Sequence, residues 1–381
     1  MWPEARVQML LAAAALALLG LVLVTSASVH YASAQYGNAM YFGMRHAIFL
    51  GLAVCAGFIA AQVPADLWQR LSHVALILSI LVLVLVLIPG IGHVVNGSRR
   101  WISLGAFNVQ PSELAKLGLL VFTADYLARC RDRMNDWREL WKPLLALAFV
   151  VLLLMLEPDM GSTVVVVLMV FAMLFVGGLA MRWVLLAGLA GAALATVAIV
   201  FEEYRWKRMT SFLDPWQHQF DSGYQLVQSL IAFGRGEVAG VGLGSSVQKL
   251  HYLPEAHTDF VFAVAAEELG LLGVLVMAAL FVMLVGALLA IARNCSRAGD
   301  AYGTFFCIGA AMLVGLQAFF NMGVNMGVLP TKGLTLPLVS YGGSSLVAMG
   351  LLLGMVWQVG GAAGAAPAVN GKARARRAVA A

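Results

Sequence analysis

YLPEAHTDF, residues 252–260, runs directly into VFAVAAEELGLLGVLVMAALFVMLVGALLA, residues 261–290. The second stretch decides the fold. About 18 or more apolar residues in a row can cross the hydrocarbon core of a bilayer. A helix is the natural form for such a span, because lipid offers the backbone no hydrogen-bond partners. The first stretch raises the functional question. Glu255, His257 and Asp259 set three proton-handling groups at the mouth of the span. Ionisable groups at the edge of hydrocarbon are costly unless something requires them there.

The rest of the chain has the same character. It has 381 residues, of which 61% are hydrophobic and only 11% charged. That composition excludes a string of soluble domains. Ten apolar stretches lie near 8–29, 43–63, 70–89, 111–130, 143–157, 161–179, 183–202, 260–292, 302–326 and 341–362. The sequence therefore predicts an all-α polytopic membrane protein of about ten transmembrane helices, forming a single domain over 1–365. The tail 366–381 reads as basic and disordered. ASA at residues 32–34 resembles a signal-peptide cleavage site. The preceding apolar run is too long and its basic head too sparse for a signal, so the first span is expected to stay.

Orientation follows from Lys and Arg placement. With a cytoplasmic N-terminus, the inner segments hold most of the 24 Lys and Arg, including Arg129, Arg131, Arg133, Arg138 and Lys142. Both termini are then cytoplasmic, and the long loop 203–259, between spans seven and eight, faces out. The net charge of +5 fits anionic lipid headgroups on the inner side and requires no nucleic acid. Cys55, Cys130, Cys295 and Cys307 lie in or near spans, so no disulfide framework is implied.

Two outer segments are long. PGIGHVVNGSRRWISLGAFNVQPSE joins spans three and four and carries the turn signal NG. In the second, Leu226, Val227, Leu230, Ile231 and Phe233 could share one helical face, which predicts a helix lying flat at the interface. Gly242, Gly244 and Ser246 do not complete a dinucleotide fingerprint, and no strand pattern flanks them.

Glu113 and Lys116 stand at i and i+3 in the fourth stretch and share a face. They form either a structural ion pair or the polar wall of a substrate cavity. Glu157 and Asp159 in EPDMGS read most simply as a solvated turn. Arg99 and Arg100 are interfacial anchors or a fork for phosphate oxygens. Lys332, in the last outer loop, is a further cation for phosphate. A carboxylate partly desolvated at position 259 would have a raised pKa, suited to a general base. Serines in the nucleophile-elbow pattern are lacking, so a hydrolase triad is excluded.

NGSRRWISLGAFNVQPSELAK, EPDMGS, RMTSFLDPW, SGYQLVQSLIAFGRGEVAGVGLGSSVQKLHYLPEAHTDFVFAVAAEELG and MGVLPTKGLTLPLVSYGGSS, in that order, closely resemble the SEDS family of cell-wall proteins over about residues 10–360. FLDPW, SGYQLVQSLIAFGRG and YLPEAHTDF resemble its division-type members more than its elongation-type members. The resemblance implies a ten-span peptidoglycan glycosyltransferase of the bacterial cytoplasmic (inner) membrane, acting at the septum. It implies lipid II as donor and acceptor, and Asp259 as catalytic base. Glu113 and Lys116 fall on the family's intramembrane charged pair. Arg99, Arg100, Glu113, Lys116, Glu255, His257 and Lys332 are the expected substrate-binding residues. Arginines or a divalent cation, Mg or Mn, would neutralise the leaving pyrophosphate. A class B penicillin-binding transpeptidase and other membrane proteins of the division machinery are the implied partners. The rivals are a lipid II flippase, which needs no outer base, an elongation-type polymerase, and a scaffold.

Overall fold

The computed structural model describes residues 4–95, 98–105, 107–130, 133, 137–201, 203–250 and 252–365. The tail 366–381 lies outside them. In chain order the elements are α1 (Ala5–Tyr36), α2 (Tyr41–Gln62), α3 (Ala65–Arg70), α4 (Ser72–Leu87), β1 (Gly92–Val95), β2 (Ser98–Leu104), β3 (Phe107–Val109), α5 (Pro111–Cys130), α6 (Trp137–Leu156), α7 (Met160–Val176) and α8 (Met181–Val200). Then follow α9 (Glu203–Leu213), α10 (Tyr224–Gly236), α11 (Val261–Ala298), α12 (Ala301–Asn325) and α13 (Gly343–Ala365).

Each of the ten apolar stretches coincides with a helix. Among the described residues, six helices are long and apolar enough to cross a membrane: α1, α2, most of α6, α11, α12 and most of α13. Helices α4 and α7 and the first half of α8 are apolar but shorter. Helix α5 carries Glu113, Lys116, Asp125 and Arg129 within its 20 residues.

The all-α expectation needs correction in the first outer segment. There β1, β2 and β3 form a three-stranded antiparallel sheet in the order β1-β2-β3, with a bulge between His93 and Val94. Strands β1 and β3 have only four and three residues, and in β2 Arg99, Arg100, Trp101 and Ile102 do not alternate apolar with polar. The strands form because a long loop must place its own N–H and C=O groups, and consecutive hairpins do that locally. Helix α10 also departs from expectation. Its apolar face does not lie open at an interface: Leu226 and Val227 are buried, and the helix packs along α11. A Cβ on Gly236 would collide with the Ala266 carbonyl of α11, so the two backbones are in near contact.

The core is built where α11 meets α1 and α12, and where α12 meets α5 and α7. Helices α2 and α13 pack through small residues, with Gly350 against Ala53 and Gly354 against Gly57. Such residues let membrane helices approach closely where no hydrophobic effect drives them together.

One break in the helices organises the outer face. Gly270, inside α11, has φ 64° and ψ −165°, a backbone that L-residues with a Cβ avoid. A break in a membrane helix leaves polar groups unpaired unless protein supplies partners. Here the segment after α10 supplies them. Val241 N–H donates to the Glu267 carbonyl and Gly242 N–H to that of Glu268, each at 3.0 Å. Leu271 N–H donates to the Glu237 carbonyl at 3.0 Å and Leu272 N–H to that of Val238 at 3.2 Å. The segment 237–242 thus lies in the kink and brings the rest of the outer segment over the mouth of α11.

Candidate functional site

Residues 243–250 are fixed on α11 by two buried carboxylates. Glu267 accepts from Ser246 Oγ, from Val247 N–H at 3.1 Å and from Gln248 N–H at 3.3 Å, and pairs with Arg235 at 3.3 Å. Glu268 pairs with Lys249 at 3.0 Å and accepts from Ser26 Oγ of α1 at 2.7 Å. In sequence VFAVAAEELGLLG looks like an ordinary span, which hides both roles. Two adjacent acids inside it were the available signal, since charges there need partners.

The turn that follows presents the three predicted groups differently. Glu255 takes a left-handed backbone at φ 55°. Its carboxylate accepts from Thr258 Oγ1 at 2.7 Å, and its carbonyl accepts the Thr258 and Phe260 N–H groups. Glu255 therefore shapes the turn. His257 is packed among rings, with Phe42 at 4.6 Å, Tyr341 at 5.7 Å and Tyr31 at 5.8 Å between centroids. Its carbonyl accepts from Tyr341 N–H at 3.0 Å. Burial lowers the His257 pKa, and the nearby Glu255 charge opposes that shift.

Asp259 stands two residues before the first residue of α11 and is partly exposed. Its carboxylate approaches the last outer loop: a Cβ on Gly333 would lie 3.2 Å from Asp259 Oδ2. Lys332 is the neighbouring residue. Burial lowers its pKa, and its ammonium lies 5.9 Å from the centre of the Phe320 ring. The Gly333–Leu334 segment in turn packs on Gly161 of EPDMGS. The structure thus brings Asp259, Lys332 and the 157–161 turn to one place.

EPDMGS is not a solvated turn. Asp159 caps α7, accepting from Ser162 N–H at 3.1 Å. Glu157 is fully buried, and its carboxylate oxygens have no partner among the described residues. Burial and the Asp159 charge raise its pKa to about 8, against the pull of Arg100, so its carboxyl is largely protonated at neutral pH. Arg100 donates to the carbonyls of Glu157, at 3.0 Å, and Pro158. Arg99 donates to the Leu87 carbonyl at 3.0 Å. Both guanidiniums are engaged in holding the sheet to α4 and to the α6–α7 turn.

Glu113 and Lys116 form a buried pair at 2.8 Å, with relative exposures of 4% and 1%. They bind one another rather than a group at the mouth, and Glu113 Oε2 has no hydrogen-bond partner among the described residues. Asn321 and Asn325 of α12 were not singled out from the sequence. Both donate to the Asp259 carbonyl, at 2.9 and 3.0 Å.

A cleft of about 370 Å³ opens beside the turn, lined by Lys207, Asp221, Ser222, Tyr224, Gln225, Pro254 and Thr331. Most of the residues that line it have polar side chains, and it is within the size range of small-ligand sites. Among the described residues, no three His, Cys, Asp or Glu side chains are grouped to hold a metal ion.

The chain matches the family model of the FtsW, RodA and SpoVE cell cycle proteins over residues 6–363. A Hahella chejuensis protein named probable peptidoglycan glycosyltransferase FtsW is 50% identical over 350 residues, covering 91% of this chain and 88% of its own. A Marinobacter nauticus protein of the same name is 51% identical over 341 residues, covering 89% and 85%. Among solved structures, a chain of a peptidoglycan synthase complex that coordinates polymerisation and crosslinking superposes with a TM-score of 0.78 at 33% identity, covering 93% of this chain and 97% of that one. Thermus thermophilus rod shape determining protein RodA superposes with a TM-score of 0.67 at 32% identity, covering 92% and 95%.

Proposed function

The chain belongs to the FtsW, RodA and SpoVE family of cell cycle proteins, and we propose that it polymerises lipid II at the division septum with Asp259 as general base. It is a multi-pass membrane protein and a peptidoglycan glycosyltransferase. The observation that carries this activity is the likeness along nearly the whole chain, at 50% identity, to a protein named for it.

The placement of Asp259 supports its role. It is the carboxylate at the mouth of α11, beside the Lys332–Gly333 segment. Asp259 would take the proton of the acceptor GlcNAc 4-hydroxyl as that oxygen attacks the anomeric carbon of the donor MurNAc. The new C1–O4 bond forms while the C1–O bond to phosphate breaks. The electron pair leaves with the lipid pyrophosphate, and the linkage inverts from α to β. Lys332 has no carboxylate partner among the described residues and is the cation we assign to the pyrophosphate. Arg99 and Arg100 would act chiefly by holding the loops, with their charge as a secondary contribution. A divalent cation, Mg or Mn, would draw most of its ligands from phosphate and water, as Mg commonly does, and would supply further charge neutralisation.

The ten helices that match the predicted stretches are read as ten spans of the bacterial inner membrane, with both termini cytoplasmic and 203–259 outside. A cysteine at Ser222 should then react with an impermeant thiol reagent in intact spheroplasts; labelling only after lysis would reverse this orientation. The partner is read as a class B penicillin-binding transpeptidase. Purified chain with that partner should convert labelled lipid II to glycan. Asp259→Asn should bind lipid II and polymerise it about 10²–10⁴-fold more slowly. Glycan at the wild-type rate from Asp259→Asn would exclude Asp259 as the base. Lipid II movement without polymerisation by the wild type would favour a flippase.

A further inference from the structure

The carbonyl of Asp259 lies just before α11 and takes no part in that helix, whose first acceptor is the Phe260 carbonyl. A buried carbonyl left unpaired is costly. This one is taken by two side-chain amides, Asn321 Nδ2 at 2.9 Å and Asn325 Nδ2 at 3.0 Å. A carbonyl oxygen has two lone pairs, so its capacity is filled.

The remaining atoms of the two asparagines are also engaged. Asn321 uses its second N–H on the Leu334 carbonyl at 2.6 Å. Asn325 uses its own on the Asn321 carbonyl at 2.8 Å, and its Oδ1 accepts the Ala263 N–H in the first turn of α11 at 3.1 Å. Because their main partners are carbonyls, the amide orientations are dictated chemically. Both residues are buried, and they stand four apart on one face of α12.

One side chain, Asn321, therefore holds two separate backbone positions. One carries Asp259. The other adjoins Gly333, whose Cα faces Asp259 Oδ2, and lies two residues from Lys332. We propose that Asn321 and Asn325 are positioning residues that fix the Asp259 carboxylate relative to the Lys332–Gly333 segment. This rests on the reading of Asp259 as base. It assigns α12 a part in the reaction beyond packing. An isolated polar residue in this span would be explained by helix association alone. Two amides converging on the backbone of the reacting group are not explained that way, since α12 already packs on α11, α5 and α7 through apolar residues.

The test measures kcat and KM for labelled lipid II with the purified chain and its transpeptidase partner, alongside thermal unfolding. Asn321→Ala is expected to lower kcat about 100-fold, the order expected for a displacement near 1 Å, with KM within about threefold of wild type. Asn325→Ala leaves the Asn321 bridge and should lower kcat about tenfold. Ser72→Ala removes a buried hydrogen bond to Asp125, far along the chain. It should lower the unfolding temperature while kcat stays within about twofold. Equal kcat losses in Ser72→Ala and Asn321→Ala would overturn the proposal, as would a wild-type kcat in Asn321→Ala. If Asn321→Ala does not fold, Asn325→Ala decides, and an unchanged kcat there overturns it. A wild type that forms no glycan refutes the polymerase reading instead, and the proposal falls with it.

Discussion

The parts of α11 before and after Gly270, called its first and second halves, share one apolar run broken only by Glu267 and Glu268, and they differ in surroundings. Before Gly270, residues 261–268 are all buried, including Glu267 and Glu268. After it, Leu271, Leu272, Leu275, Val276 and Val282 are half-exposed or more, while Val274, Met277, Phe281, Leu284 and Leu288 are buried at helical spacing. The second half faces protein on one side and the bilayer on the other. The first half is protein interior all round, roofed by 237–250, 252–260 and α10. Hydropathy registers one long apolar helix, because both lipid and protein interior reward apolar side chains. The difference is that only a protein interior can supply partners for charged groups and a broken backbone.

Four measurements would break or sharpen this contrast. The largest effect belongs to Asp259, at the head of the first half. Asp259→Asn should lower polymerisation by about 10²–10⁴-fold, the usual contribution of general-base catalysis, and leave thermal unfolding unchanged. Asp259→Glu should cost about 10²-fold through displacement. The next concerns the buried charges. Lys249→Met leaves Glu268 unpaired in the interior and should destabilise the protein by about 3–5 kcal/mol, read as a lower midpoint in chemical unfolding of the detergent-solubilised chain. A neutral result would show that water reaches this half of the helix.

A pH effect comes third. Burial lowers the His257 pKa below the 6.5 of an exposed histidine. The unfolded chain therefore binds a proton here more readily than the folded one. Stability should fall as pH drops below about 6.5 towards the lowered native value. His257→Gln should remove that part of the pH dependence, measured by unfolding between pH 7 and pH 5. The smallest effect lies in the second half. Val282 is 73% exposed, so Val282→Leu should change stability by no more than about 0.5 kcal/mol and leave polymerisation at the wild-type rate. A large loss there would mean that this face meets protein rather than lipid.

Some of the site was legible in the residues. Asp259 stood out by its place next to an apolar run, and Glu113 with Lys116 by their shared helical face. Arg99 and Arg100 illustrate the opposite. A guanidinium fork suits phosphate, but these two are engaged by the carbonyls of Leu87, Glu157 and Pro158. Every residue has a carbonyl, so an acceptor of that kind leaves no mark on the sequence. Glu157 is a related case. Its turn reads as exposed, and only the packing around it strips its water and raises its pKa.

The sequence by itself determined a helical membrane protein, the near positions of its apolar helices and the carboxylate at the mouth of α11. Those follow from side-chain hydropathy and from the length needed to cross hydrocarbon, both local properties. Tertiary structure alone decided which apolar residues meet lipid and which meet protein. It also decided that Gly270 breaks α11, that the segment 237–242 fills the break, and that Asn321 joins Asp259 to Leu334. These depend on backbone groups far apart in the chain finding one another where water is absent, and an unpaired group there is too costly to leave.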